Sequence, residues 1–206
     1  MDKLMEHNKI IISPIAYIKS ILYFQRFTSE FISEENFKSS YALLVGFIDP
    51  LEKETVITDF VPIKDFQDKY IDFTKDTLVL EKIAKVNHDF DDDEFPEYVL
   101  GWARNTVMND LEPITIDKKN HLIFQTAIDP QAIFWIFNYD NLMIDDGFRL
   151  YSFQENFKSI NLVSELKELR YDFSKNVYFD DLMDLAIQME EKRKSKKILI
   201  KGIGEK

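Results

Sequence analysis

The segment Ser40–Asp49, SYALLVGFID, is an apolar run with one charge, at its end, and a run of that kind belongs to a strand inside a sheet. Pro50–Glu54, PLEKE, reads as a turn, and Thr55–Ile63, TVITDFVPI, as the returning strand. A hairpin this apolar has to be covered by other elements, and the rest of the chain offers them.

Upstream, KIIIS (Lys9 to Ser13) is a short β-branched strand. Pro14 then suits the first position of a helix whose N-cap is Ser13. Along that helix Ile15, Ile18 and Leu22 make one apolar stripe, and Tyr17, Ile21 and Phe24 make a second beside it, which predicts contacts on two sides. Downstream, DTLVLEKIAKVNHDF has Leu78, Ile83 and Val86 spaced as one helix face and runs into the acidic DFDDDE. EYVLGWA (Glu97 to Ala103) is a further core strand. IDKKNHLIFQTAI is a helix with Thr115 or Asp117 near its start, and QAIFWIFNYD and GFRLYSF are two strands around a turn at Asp145 to Gly147. From about Gln154 the chain is charged and reads as helical, with Phe179, Leu182, Ala186 and Met189 on one face. The order predicts an α/β fold with a mixed sheet and flanking helices over 9–153, followed by a C-terminal helical extension over 154–206.

Among 206 residues, 45% are hydrophobic and 14% aromatic, enough for a real core, while the five glycines and six prolines favour long regular elements. A net charge of -11 works against non-specific attachment of the body to nucleic acid or an anionic membrane. Cysteine is absent, so neither a disulfide nor a thiolate site can form. The first twenty residues contain no secretory apolar region, and no stretch approaches the roughly 20 apolar residues of a membrane span. The expectation is a soluble chain of the cytoplasm, open also to the nucleus.

Sites of common chemistry are scarce. His7, His88 and His121 form no paired ligand motif, and DFDDDEFPE lacks the alternating ligands and glycine of a calcium loop. No glycine-rich phosphate loop and no GxSxG elbow occur. Lys192, Arg193, Lys194, Lys196 and Lys197 cluster near the end, either as a solvated helix terminus or as a contact for RNA or an acidic partner.

Six stretches in order, IIISPIAYIKSILYF, SYALLVGFID, TVITDFVPI, VLEKIAKVN, VLGWARN and GFRLYSF, resemble the MPN domain. That is the cytidine-deaminase-like fold of the JAMM metalloproteases and of their non-catalytic relatives in the proteasome lid, the signalosome and a translation initiation factor. In active members zinc is held by an HxH pair directly after the third strand and by a later aspartate, with a serine before the aspartate and a glutamate as general base. Three protein ligands leave one position for a water whose pKa the metal lowers to about 7, and the carboxylate takes its proton. Counted onto this chain, the histidine positions hold Arg104 and Thr106, the serine position Ile114 and the glutamate position Ser39; Asp117 alone keeps its type. Asp117 also suits a helix N-cap, and it is placed to pair with Arg104 where relatives hold the ion.

The resemblance therefore implies a catalytically inactive scaffold without metal or cofactor, dimerising with another MPN protein in a larger complex of the ubiquitin system or of translation initiation. Ile15, Ile18 and Leu22 of the first helix, with Phe179, Leu182 and Met189 of the tail, are the expected partner contacts. The competing expectations are a metal-dependent isopeptidase with displaced ligands, built on Asp117, His121 or the acidic loop, and a ribosome- or RNA-associated module using the basic tail.

Overall fold

The computed structural model describes residues 9–25, 37, 39–49, 51–65, 71–73, 77–91, 96–108, 110–138, 141–142, 146–154, 159–162, 167–169, 184 and 188. Phe179, Leu182, Met189 and the basic cluster Lys192, Arg193, Lys194, Lys196 and Lys197 lie outside these, so the expectations attached to them concern residues beyond the described ones.

Strand β1 (Lys9–Ile12) leads into α1 (Pro14–Phe24), β2 (Ser40–Asp49) and β3 (Glu54–Asp65). Then follow α2 (Thr77–Phe90), β4 (Tyr98–Asn105), α3 (Thr115–Ala127), β5 (Ile133–Phe137), β6 (Phe148–Gln154), β7 (Ser159–Leu162) and β8 (Lys167–Leu169). Among the described residues the strands make one mixed eight-stranded sheet in the order β7-β6-β5-β4-β2-β3-β1-β8. The hairpin β2/β3 and the pairs β2/β4, β5/β6 and β6/β7 are antiparallel, whereas β1/β3, β1/β8 and β4/β5 are parallel. No helix among the described residues is long and apolar enough to cross a membrane.

Period-two alternation sorts the strand side chains into two cores. Ala42 and Leu44 of β2, Trp135 and Phe137 of β5, and Phe148 of β6 face α1. Tyr41, Leu43 and Val45 of β2, Trp102 of β4, and Phe134 and Ile136 of β5 face α2 and α3. The result is a sheet between two helical layers, which is why β2 and β5 read as unbroken apolar runs.

Ser13 starts α1 as the sequence predicts. Its hydroxyl accepts the Ala16 N–H at 3.2 Å and donates to the Thr58 carbonyl at 2.9 Å, so the cap also ties the helix to β3. Both apolar stripes of α1 are used up inside the chain: Ile15, Ile18 and Ile21 are buried, and Leu22 is partly buried against the same core. Ile15 and Ile18, expected as partner contacts, are thus covered by the chain itself, and Leu22 is covered in part. Packing on the sheet accounts for most of the wide apolar face.

Two further readings change. On α2 the inward positions are Val79, Ile83 and Val86, and Leu78 is 52% exposed. The segment after Phe153, expected to be helical, first gives β7 beside β6 and β8 beside β1, so the sheet continues past residue 153. Helical backbone is described further on at Asp184 and Gln188, both exposed.

Two glycines are fixed by close passage of neighbouring backbone. A Cβ on Gly101 would lie 1.8 Å from the Ile133 carbonyl oxygen, and one on Gly46 would lie 1.9 Å from that of Val56. Gly101→Ala has to push β4 from β5 and is expected to destabilise the chain by about 3 kcal/mol, read as a lowered urea midpoint. A loss below about 0.5 kcal/mol would show that the strands tolerate a methyl there.

Candidate functional site

The end of β4 carries Trp102 and, two residues on, Arg104, whose side chains share the face that looks at α3. In register, Arg104 lies between Tyr41 of β2 and Ile136 of β5, near the middle of the sheet. The guanidinium is buried. A permanent cation in that position needs a fixed anion, and α3 supplies it.

Asp117, also fully buried, receives Arg104 Nε on Oδ1 at 2.6 Å and Nη2 on Oδ2 at 2.5 Å, a fork-on-carboxylate pair; Nη1 donates to the Asn105 carbonyl at 3.0 Å. The pairing foreseen for these residues is therefore present. Asp117 is not the N-cap, however. That position is Ile114, and Asp117 stands in the first turn, where Oδ2 accepts the Ile114 N–H at 2.9 Å. Isoleucine offers no side-chain acceptor, so the carboxylate supplies the capping box alone, besides complementing the helix dipole.

The other singled-out positions gather around this pair in different ways. Ile114 touches it through its N–H. Ser39 is buried and hydrogen-bonds the Tyr41 phenol, which lies in the field of both Arg104 and Asp117. Burial pushes the Tyr41 hydroxyl up to about 12, against the opposing influence of Arg104. Thr106 is buried but turned to its own loop, its hydroxyl accepting the Met108 N–H at 3.1 Å. Among the described residues no three of His, Cys, Asp and Glu come together.

Sequence reasoning missed the inner face of α3. Asp117, Asn120, His121, Phe124 and Gln125 are its buried residues, while Leu122 is 39% exposed. The helical period is there, but it is filled with polar groups, most of which read backbone or charge. Gln125 donates to the Pro130 carbonyl at 2.8 Å and accepts the Phe153 N–H at 3.0 Å. Asn120 donates to the Ile71 carbonyl at 2.8 Å and accepts the Phe73 N–H at 3.0 Å. Asp, Asn, His and Gln spaced three and four apart are the signal that marks such a face.

His121 is the exception. Its ring stacks on Phe153 at 5.6 Å and meets Phe134 at 4.6 Å, and among the described residues neither nitrogen has a hydrogen-bond partner. Burial drives its pKa down to about 3, so the ring is neutral at ordinary pH.

No protein-family model matches the chain, and no curated protein does. Among solved structures it is similar to the solution structure of protein DSY2949 from Desulfitobacterium hafniense, with 11% identity over 82% of this chain and 98% of that one and a TM-score of 0.48.

Two outcomes test the site. Arg104→Met and Asp117→Leu each strand a buried charge and are expected to cost about 3–5 kcal/mol. The double variant should fall short of their sum by about 2 kcal/mol or more in urea denaturation, and simple additivity would mean that the pair is not coupled. For His121, the unfolded ring takes a proton below about 6.5 and the folded ring only near 3. Its share of stability is thus complete above about pH 6.5 and lost, at about 1.4 kcal/mol per unit, as pH falls toward 3. His121→Phe should remove about 2 kcal/mol of the difference in stability between pH 8 and pH 5. Parallel pH profiles for the two proteins would contradict the buried neutral ring.

Proposed function

We propose that this chain is a catalytically inactive relative of the MPN domain and works as an interaction scaffold in the cytoplasm, paired with another MPN-type protein in a larger assembly. The reading is supported by the order of elements, strand, helix, hairpin, helix, strand, helix and two strands, in which the six family-like stretches fall. One observation carries the proposed inactivity: the bidentate Arg104–Asp117 pair occupies two of the three positions at which the resemblance puts zinc ligands.

The residues present do not fit the metal. A guanidinium has no lone pair to give and repels a dication, Thr106 is a weak neutral donor already engaged with Met108, and Ile114 has no polar side-chain atom. Asp117 has both oxygens committed to Arg104. With Ser39 in place of the carboxylate base, no free carboxylate among the described residues of this site is placed to take a proton from an attacking water. What remains is a charge-neutral cluster at the end of β4, suited to holding shape. A partner has to dock elsewhere than on Ile15 and Ile18, which the chain covers itself.

Arg104→His with Thr106→His restores two imidazoles beside Asp117. Zinc is expected to raise the melting temperature of this double variant and not that of the unaltered chain, which is also expected to leave ubiquitin-like conjugates uncut. Stoichiometric zinc and cleavage by the unaltered chain would overturn the inactivity. A zinc-indifferent double variant that is folded would overturn the positional match to the family. The assembly half of the reading predicts a stoichiometric complex with a second MPN-type chain when the tagged protein is isolated from its native cells; recovery as a lone monomer contradicts it.

A further inference from the structure

Residues 71–73, Ile-Asp-Phe, lie between β3 and α2 and belong to neither a strand nor a helix, yet Ile71 and Phe73 are buried while Asp72 is partly exposed. The burial of the three side chains thus alternates in, out, in, with Phe73 at a turn. The backbone of this tripeptide is read by side chains. Asn120 accepts the Phe73 N–H at 3.0 Å and donates to the Ile71 carbonyl at 2.8 Å, and Tyr41 Oη accepts the Ile71 N–H at 3.2 Å.

The Phe73 ring fills an aromatic seat, edge-on to Trp102 at 5.3 Å and to Tyr41 at 6.0 Å, with Phe124 at 6.5 Å. Lys119 Nζ meets the Asp72 carboxylate at 2.8 Å on the outer side, and 48% of the Lys119 side chain is exposed. Each position of the tripeptide is thus met by a group of matching chemistry. Asn120 is fully buried, and the amide hydrogen bonds described for it both go to this segment. A helix that buries an amide to satisfy an irregular segment is built as a peptide reader is built, main-chain bonds giving affinity and alternate pockets giving choice.

We propose that the space between α3 and the facing ends of β2 and β4 is a peptide-recognition site, occupied in cis by Ile71–Phe73, whose external ligand is a peptide of the pattern apolar, acidic, aromatic. The tethered segment competes as an intramolecular ligand, so it sets the threshold that an outside peptide has to exceed. This goes beyond the scaffold reading and does not rest on it, since the site needs α3, Tyr41 and Trp102 whatever the ancestry of the fold.

The probe is a fluorescein-labelled peptide of residues 69–75, KYIDFTK, with a control carrying serine at the Ile71 and Phe73 positions. The full chain with Ile71→Ser and Phe73→Ser, once its near-ultraviolet tryptophan signal shows it folded, is expected to bind the probe about tenfold more tightly than the unaltered chain does, because the cis competitor is gone. It should also prefer the probe to the control by about tenfold, and Asn120→Ala in that background should cost about fivefold or more. A folded variant that does not separate probe from control, or that is indifferent to Asn120, overturns the proposal. Where that variant does not fold, the unaltered chain provides an independent test. Excess probe, and not control, should speed hydrogen exchange at the Ile71 and Phe73 amides about threefold or more by displacing them. Unchanged exchange at saturating probe overturns the proposal as well.

Discussion

A guanidinium cannot lie inside a protein uncompensated, and much of one end of this molecule follows from neutralising Arg104. The cost of taking a full charge out of water is several kcal/mol, so the carboxylate that answers it must be placed rigidly, not merely nearby. Asp117 is placed by the first turn of α3, and it holds that turn in return through the Ile114 N–H. The chain between the two partners is therefore closed at both ends. Within it Leu111 adopts φ 54, an unusual conformation for leucine, with its side chain buried in the α2/α3 core and its carbonyl accepting the Tyr151 hydroxyl at 3.1 Å. Ion pair, helix start and strained loop form one unit, in which each member is unfavourable without the others.

The same need to satisfy polar groups explains the inverted helix. An α-helix laid on a sheet normally offers its apolar side, as α2 does with Val79, Ile83 and Val86. Helix α3 instead turns Asp117, Asn120 and Gln125 inward, and each of them ends on charge or backbone that would otherwise be unpaired. Asn120 secures a segment outside the sheet, Gln125 secures β6, and Asp117 secures β4. Buried amides used in this way specify position more sharply than leucines do, since a one-residue shift breaks every bond at once. His121, in the middle of that row, has aromatic neighbours instead of hydrogen-bond partners among the described residues. It behaves as a flat apolar ring under ordinary conditions.

What could be read from the sequence was whatever one local rule decides. Ser13-Pro14 sets the start of α1, and the apolar runs of β2 and β5 follow from cover on both faces. Arg104 and Asp117 were visible as partners through their place in the family-like pattern. Other features depend on contacts far along the chain. Ser159–Leu162 and Lys167–Leu169 are too short to stand out as strands in a charged stretch, and β8 is defined by its pairing with the distant β1. Leu78 looks inward on a helical wheel, yet Val79 takes that place, since the wheel's phase is set by the sheet beneath. The polar face of α3 misleads for the same reason: its partners, the Phe73 and Phe153 amides, are separated from it in sequence by 47 and 28 positions.

The chemistry of the site follows from who owns the lone pairs. A carboxylate shared with a guanidinium at 2.5 and 2.6 Å has its charge already neutralised, and a Lewis acid arriving there has to displace a cation that cannot lose its proton. His121 lies one turn further along the same helix, but it faces Phe134 and Phe153, so bringing it to a shared ion would mean unpacking the core. Tyr41, held protonated by burial, accepts the Ile71 N–H and so belongs to the peptide seat as much as to the ion pair. The two features are thus mechanically joined: the neutralised pair fixes the first turn of α3, that turn fixes Asn120 next along the helix, and Asn120 reads the backbone laid across it. A buried, mutually neutralised charge pair at the start of α3 is what keeps Asn120 in register with that backbone.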